Sequence, residues 1–232
     1  MTYRRLLSAA SGLAALLVVV PVLADAPLAA PPPQRIKGTI DTFDPATRIL
    51  NVKSGTGALV SIMLVPDARV IANEKRTVAD IKPGDFVASA ALKGADGKLH
   101  AQEVRIFPEA LRGMGEGQYP MDAPNRSMTN ATVEEVNGVA MNAGTLKLSF
   151  HGSTKAADGT CTGHATAPGA GVCTGETAID VARGISVTSW VLGDTSWLAP
   201  GLAVSIFAST GADGKLSARG VVVERNGIKP LP

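Results

Sequence analysis

The chain has 232 residues, with 22 Lys or Arg and 20 Asp or Glu. Two arginines and no acids fall in residues 1–24, so the rest of the chain has 20 basic and 20 acidic residues and no formal net charge. A neutral chain has no general electrostatic attraction to nucleic acid or anionic membranes, which argues against both as partners. The remaining 200 or so residues suffice for one large β domain or two small ones.

The first residues have the pattern of a cleaved export signal. The basic pair Arg4-Arg5 precedes an apolar run that ends at Pro21, and Val22-Leu23-Ala24 offers a small-residue cleavage site. The apolar run is short for a membrane span. We therefore expect a signal peptide over 1–24, export to the periplasm or beyond, and no transmembrane span in the mature chain. The Ala- and Pro-rich residues 25–34 predict an extended, disordered leader.

One stretch occurs twice. Gly-Ala-Asp-Gly-Lys-Leu lies at 94–99 and again at 211–216, and an ungapped comparison of 81–104 with 198–221 gives 12 identities in 24 positions. An internal repeat of this length predicts two units of one fold.

Each copy of the repeat has the signals of a β-hairpin. Asp96-Gly97 and Asp213-Gly214 lie between apolar runs and predict tight type I′ turns, with strands at 86–92 and 99–107 in the first copy. Pro83-Gly84 and Pro200-Gly201 predict the turns that lead into the two hairpins.

The second strand of each hairpin contains a slip in its apolar alternation. Leu99 and Ala101 share one face, but the next apolar residue is Val104, and the second copy slips at the same place. Because side chains alternate with period two, a shared slip predicts β-bulges near 102–103 and 219–220.

The remaining pattern predicts an all-β fold. Runs rich in Ile, Val and Thr predict strands at 35–42, 49–53, 60–64 and 70–72. Five or six short strands that close on themselves are typical of a small OB-like barrel. We expect two tandem OB-like barrels, over 35–112 and 129–232, joined by a Gly-, Pro- and Met-rich linker over 113–128.

The second copy contains an insert. Thr39-Ile40 matches Thr132-Val133 at an offset of 93 residues, whereas the hairpins match at 117, so 24 residues have been added between first strand and hairpin. We place them at 152–175, as a hairpin extension that contains both cysteines of the chain, Cys161 and Cys173. In an exported chain with two cysteines, a disulfide is the expected state.

A metal site is the alternative for this region. Two His and two Cys would suit zinc or copper if the insert folded around the ion, and thioethers in the linker are soft ligands for Cu(I). The oxidising compartment favours the disulfide, and linker methionines are more often packing residues. The candidate ligands are His151, Cys161, His164 and Cys173, together with Met114, Met121 and Met128.

No arrangement of residues predicts catalysis. His100 lies in a predicted strand, and no Ser/His/Asp or Cys/His set can be assembled from the sequence. Glu134 and Glu135 are adjacent on a strand and therefore point to opposite faces. We expect a protein that is not an enzyme and has no cofactor.

Three motifs carry a resemblance to a known family. Lys37–Ile40, Asp80–Val87 and Asp96–Ala101 resemble the bacterial domain of unknown function 5666. The chain is also similar to exported proteobacterial proteins with two such units, through its Gly-x-Gly-Glu-Gly linker at Gly113–Gly117 and its Met-Thr-Asn-Ala-Thr segment at Met128–Thr132. The resemblance implies a small all-β barrel for each unit and no established activity. The cysteine insert departs from that pattern.

These observations predict a non-catalytic exported protein that acts as a binding or envelope-associated module. Its partner would be a small ligand or an envelope protein, whose identity the sequence does not reveal. The alternative is a periplasmic copper- or zinc-binding protein that uses the Met, His and Cys side chains named above.

Overall fold

The structure is a computed structural model that describes residues 33–140 and 142–230. The predicted signal peptide and nearly all of the 25–34 leader lie outside these ranges. The described ranges contain strands and three short 3-10 turns but no α-helix, which confirms the all-β prediction. Consequently no described segment is a helix of the length and apolarity that crossing a bilayer requires.

The strands fall into three groups along the chain. The first group is β1 (Gln34–Asp44), β2 (Ile49–Ser54), β3 (Leu59–Arg76), β4 (Phe86–Lys93) and β5 (Leu99–Ile106). The second is β6 (Gly117–Pro120), β7 (Arg126–Ala140), β8 (Ala143–Gly152), β9 (Thr154–Lys155) and β10 (Cys161–His164). The third is β11 (Cys173–Val181), β12 (Ser186–Gly193), β13 (Ala203–Thr210) and β14 (Leu216–Val223).

Five strands close into a first barrel, which we call ring A. β1, β2 and β3 pair antiparallel in sequence order, β13 pairs antiparallel with β1, and β14 pairs with β13 and runs parallel to β3. The side chains that alternate inward are apolar and fill the interior. The largest fully buried ones are Ile40, Leu50, Ile62, Leu64 and Ile206.

Five other strands close in the same way, and we call this barrel ring B. β7, β8 and β11 pair antiparallel, β4 pairs antiparallel with β7, and β5 pairs with β4 and runs parallel to β11. Its interior is built from Leu146, Leu148, Phe150 and Ile179. Closure leaves neither ring with an unpaired long edge.

Each ring takes its hairpin from the other half of the chain. The β4–β5 hairpin follows β3 in sequence but closes ring B, and the β13–β14 hairpin closes ring A. The two hairpins pair in the same register. Leu99 of the first hairpin pairs with Ile179 in ring B, and Leu216 of the second pairs with Ile62 in ring A. Leu99 and Leu216 are 117 residues apart, and so are their partners. Strands that precede the predicted 113–128 linker therefore pair with strands that follow it. The boundaries 35–112 and 129–232 follow the sequence repeat and do not coincide with the two rings.

β3 is longer than its sequence pattern indicated. The strands predicted separately at 60–64 and 70–72 form one strand of 18 residues. The chain instead passes Pro66 and Asp67 where the pairing with β14 shifts register between Leu64 and Arg69. An irregular step in a ladder tolerates a proline because no amide hydrogen is needed there.

The two rings are joined by β3 and β12. The second half of β3 pairs antiparallel with β12, and this pairing is centred on Asn73 and Trp190, which are 117 residues apart. A small third core packs against it, in which Phe107 contacts Phe86 and Trp190 edge to face at centroid distances of 5.4 and 4.8 Å.

The hairpins and bulges lie where the sequence placed them, but the turn type differs. Gly97 has φ +77° while Asp96 is not among the residues with positive φ, so the predicted type I′ turn is wrong. The amide of Gly97 donates to the Gly94 carbonyl (3.0 Å), and the second hairpin repeats this geometry. Register shifts in the β4–β5 and β13–β14 pairings confirm both predicted bulges.

Candidate functional site

The predicted linker is part of the fold of ring B. Its residues Gly117–Pro120 form β6, which pairs with β7 on one side and with β10 of the insert on the other. Gly117 has φ +133°, and a Cβ at this position would collide with the Gly163 carbonyl of β10. The glycine is therefore required for the linker and the insert to approach each other.

The disulfide predicted between Cys161 and Cys173 is confirmed. It joins β10 of the insert to β11 of ring B, and Cys161 is buried in the core of that ring. The crosslink closes a short loop, with a sequence separation of 12 residues. The insert is thus covalently fixed to the barrel that it extends.

A buried carboxylate joins linker, insert and ring. Glu116 Oε1 accepts hydrogen bonds from the backbone amide of His151 (3.0 Å) and lies 2.7 Å from its Nδ1, while Oε2 accepts from the amide of Gly169 (2.8 Å). Burial raises the pKa of Glu116, but these hydrogen bonds outweigh it and hold the pKa below its ordinary value. The side chain is only 6% exposed, so the site is built to hold the ionised form.

An aromatic pair lies one step further along β6. The rings of Tyr119 and His164 are 3.8 Å apart between centroids with an interplanar angle of 32°. Burial raises the pKa of the Tyr119 hydroxyl. The pair fixes the orientation of the tyrosine ring, which lines the cleft described next.

A cleft of about 700 Å³ opens beside β6, the strand that pairs with β7 and β10. One wall is the tip of the β4–β5 hairpin. The other is a segment that we call the 120–127 loop, which consists of the 121–125 connection between β6 and β7 and the strand ends that flank it. Thr162 of β10 also lines the cleft. The amide of Lys93 donates to the Asn125 carbonyl (2.8 Å) and ties the walls together. The cleft therefore combines the repeat hairpin, the linker and the insert.

Most of the lining surface is apolar, although seven of its 14 residues have polar or charged side chains. Arg126 and Ser127 each have a buried polar atom, Nε and Oγ, for which the described residues provide no hydrogen-bond partner. The guanidinium of Arg126 is 3.5 Å from the exposed carboxylate of Asp122. The apolar surface comes from Leu99, Tyr119, Pro120, Met121, Ala123 and Pro124.

The candidate metal ligands are dispersed. Cys161 and Cys173 are bonded to each other, so neither sulfur is a free thiolate. His151 pairs with Glu116, and His164 stacks on Tyr119. Of the residues that the structure describes, no group of three or more His, Cys, Asp and Glu could hold a metal ion.

The three linker methionines have different environments. Met114 is 38% exposed, Met121 lines the cleft, and Met128 packs against the third core near Phe107. The copper alternative thus has no assembled ligand set in the described ranges.

Four residues of the site were not identified from the sequence. Glu116 had a usable signal, because an acid between two glycines suggests a carboxylate that neighbouring backbone can approach closely. Lys93, Arg126 and Ser127 had none, because each looks like an ordinary loop or strand-end residue and only the fold brings them together.

Comparison of the chain with protein-family models, curated proteins and solved structures found no match. The resemblance to the domain of unknown function 5666 accordingly stays a prediction from the quoted motifs.

Proposed function

We propose that this protein is a non-catalytic, exported binding module whose small-molecule ligand occupies the cleft between the β4–β5 hairpin tip and the 120–127 loop. The observation that carries the proposal is the cleft itself. A volume of about 700 Å³ lies within the usual range for ligand pockets, which are mostly apolar with a few placed polar groups.

The walls of the cleft are held in place before any ligand arrives. Lys93 is hydrogen-bonded to Asn125 across it, and the amide of Met121 donates to the Arg126 carbonyl (2.9 Å) within the loop. The disulfide and the Glu116 carboxylate fix the strands behind the cleft. A preformed site loses less conformational entropy on binding, which favours affinity.

We further propose that the protein is exported and consists of two OB-like units related by an internal repeat. Each unit is closed by the hairpin of the other. The strand registers support the repeat. β1 pairs with β13 in the same register as β7 pairs with β4, when residues of β1 and β7 are matched at an offset of 93 and residues of β4 and β13 at an offset of 117. The disulfide agrees with an oxidising compartment such as the periplasm. OB-like barrels commonly bind ligands through loops at the barrel rim, where this cleft lies.

A binding screen on the chain from residue 25 onward tests the proposed function. Amide chemical shifts in an NMR spectrum would be recorded against a broad library of small organic compounds. We expect at least one compound to shift residues 93–99 and 118–127 together with Thr162. The proposal is wrong if every binder in the library maps elsewhere or if none binds.

A blocking variant makes the location sharper. Ala123 lies in the cleft lining, so Ala123→Trp should fill the space and abolish binding of any compound found. Ala212→Trp is the matched control, because Ala212 lies at the exposed tip of the other hairpin. Equal binding by the wild type and Ala123→Trp would place the ligand outside the cleft.

A further inference from the structure

We propose that the outer face of β1, β2 and β3 in ring A is the interface of a homodimer, in which a second copy of this chain packs the same face against it. This inference does not depend on the proposed function of the cleft. We call the surface the ring A face. Because side chains alternate along a strand and the buried ones point inward, the outward side chains of β2 and β3 on this face are Ile49, Asn51, Lys53, Leu59, Ser61 and Met63.

Exposed apolar side chains are concentrated on the ring A face. Of the eight large apolar side chains that are exposed in the described ranges, three lie here: Leu59 is 60% exposed, Met63 50% and Ile49 37%. Ile49 and Met63 are directly opposite each other on β2 and β3, so their side chains touch the same surface area. Apolar side chains that cluster on one exposed face are typical of a surface that binds another protein.

The polar side chains at the centre of the face bond to each other. Ser61 Oγ donates to Asn51 Oδ1 (2.6 Å), and Asn51 Nδ2 donates to Thr42 Oγ1 (2.8 Å). These bonds satisfy part of the hydrogen-bonding capacity of the row within the chain. Removing the row from water therefore costs less than removing unpaired polar groups.

Ring B has polar and charged side chains at the corresponding positions. When the strands are matched by register, the corresponding side chains of β8 and β11 are, in the same order, Thr145, Lys147, Ser149, Glu176, Ala178 and Asp180. Two of the three exposed apolar residues thus correspond to acids and the third to a threonine. The barrel does not need apolar side chains at these places, so their presence in ring A alone indicates a role specific to that face.

The charges of the ring A face suit a twofold partner. On the outer side of β1 and β2, the charged side chains from residue 37 onward are, in order along β1, Lys37, Lys53, Asp41 and Asp44. The cations thus lie towards one end of the face and the acids towards the other. In a twofold dimer whose facing strands run antiparallel, the cationic end of one copy lies over the acidic end of the other. The same rotation places Met63 over Leu59, so apolar groups also meet.

The interface and the cleft can be tested separately. No side chain of the ring A face lines the cleft. A dimer formed through ring A would therefore carry two clefts, and failure of one proposal would leave the other intact.

Sedimentation velocity of the chain from residue 25 onward tests the proposal. Between about 1 μM and about 1 mM protein, the sedimentation coefficient should rise from that of a monomer to that of a dimer. Amide chemical shifts in 42–44, 49–53 and 59–63 should change over the same range. A chain that stays monomeric throughout, or concentration-dependent shifts confined to other residues, would overturn the proposal.

Charged substitutions locate the interface. Met63→Asp should raise the dissociation constant of the dimer about tenfold or more, because dimerisation would bury two carboxylates without partners. Leu59→Glu should act in the same way. Ala178→Asp is the matched control, because Ala178 is exposed in ring B at the place that corresponds to Ser61, and it should leave the dissociation constant unchanged. Equal association of the wild type and Met63→Asp would place the interface elsewhere.

Opposite charge changes test the twofold arrangement. Lys53→Glu and Asp44→Lys should each weaken association of the chain that carries it, because like charges would then face each other. An equimolar mixture of the two variants should form a heterodimer, in which unlike charges face each other again. Thermal denaturation checks that Asp44→Lys folds, since the Asp44 carboxylate accepts a hydrogen bond from the amide of Ala46 (2.9 Å). If the mixture associates no more tightly than either variant alone, the proposed dimer is wrong.

Discussion

Rings A and B have the same strand pairing but different surroundings. Both close three antiparallel strands with a hairpin from the other half of the chain, and both hairpins have a Gly-Ala-Asp-Gly-Lys-Leu tip. Ring B alone is extended by β6, β9 and β10, and contains the disulfide and the cleft. The strand pairing is therefore common to both rings, whereas the candidate site lies beside strands that pair only with ring B.

The exchange of hairpins makes each ring depend on both halves of the chain. β4 and β5 lie in the first half by sequence, but their buried residues Val87 and Val104 pack in the core of ring B with Leu146. A destabilising substitution in a ring should therefore also destabilise the hairpin that closes this ring, which is distant in sequence, rather than the hairpin nearest in sequence. Matched changes in the two rings can test this.

The largest expected effects come from matched core truncations. Leu50 of ring A and Leu146 of ring B are both fully buried and occupy equivalent places, since their pairing partners Phe43 and Val136 are 93 residues apart. Leu50→Ala and Leu146→Ala should each lower the free energy of unfolding by about 2–5 kcal/mol, measured by chemical denaturation, because each leaves a cavity.

Hydrogen exchange then shows which hairpin each truncation weakens. We expect Leu146→Ala to lower the protection of amides in β4 and β5, and Leu50→Ala to lower it in β13 and β14. Loss of protection in β4 and β5 after Leu50→Ala, with little change after Leu146→Ala, would mean that each ring keeps its own hairpin in solution.

Removal of the disulfide should weaken ring B selectively. Closing a loop of this length restricts the unfolded chain by about 3 kcal/mol on the chain-entropy model. The double change Cys161→Ala and Cys173→Ala should lower the free energy of unfolding by about that amount and raise hydrogen exchange in 152–175 and β6. Ring A is the internal control, and an equal rise in its exchange would show that the insert does not act locally.

Glu116→Gln should be less damaging and should depend on pH. The amide –NH₂ of glutamine would face an N–H donor where a carboxylate oxygen now accepts, which costs about 1–3 kcal/mol at neutral pH. Because hydrogen bonds lower the pKa of Glu116 in the folded state, its contribution is present above its ordinary pKa and lost as pH falls through the lowered value.

The free energies of unfolding of wild type and Glu116→Gln should therefore converge on acidification below about pH 4.3. Denaturation at a series of pH values measures this. A difference that stayed constant from neutral to acidic pH would mean that the ionised carboxylate contributes nothing specific. Glu224→Gln offers a control, because Glu224 accepts one backbone hydrogen bond in ring A, from Ala203 (3.1 Å).

Local patterns predicted the parts of this fold that depend on local chemistry. The positions of the hairpins followed from Asp-Gly turns, the bulges from the slip in alternation, and the disulfide from two cysteines in one insert. The predicted turn type was wrong. A type I′ turn needs positive φ at both Asp96 and Gly97, and of these two only Gly97 has it. Local patterns were enough wherever the nearest residues determine the geometry.

The hairpin exchange and the cleft could not be predicted in this way. The second strands of the two hairpins have the same apolar residues at matching positions, Leu99, Ala101 and Val104 in one and Leu216, Ala218 and Val221 in the other, so these residues do not indicate which ring each hairpin will close. β6 was interpreted as part of a spacer because glycine and proline dominate it, although Gly117 is needed for contact with Gly163. Lys93 and Arg126 are 33 residues apart in sequence and meet only through long-range strand pairing.

The smallest expected effects test the equivalence of the two copies most directly. Gly84 and Gly201 precede the two hairpins, and both have φ +88°. A Cβ on either would meet nothing within 4 Å, so only the backbone conformation opposes a side chain. Gly84→Ala and Gly201→Ala should each lower the free energy of unfolding by about 1–2 kcal/mol, and by nearly the same amount.

Gly55→Ala is the matched control for this pair. Gly55 also has open space around it but does not have positive φ, so alanine there should be neutral or slightly stabilising, because it restricts the unfolded chain. A loss at Gly55 as large as at the other two would assign the cost to the removal of glycine itself. Thermal and chemical denaturation would measure the losses in free energy of unfolding at Gly84 and Gly201. Unequal losses would show that the two turns contribute differently to stability, because the hairpins they lead into close rings of different composition.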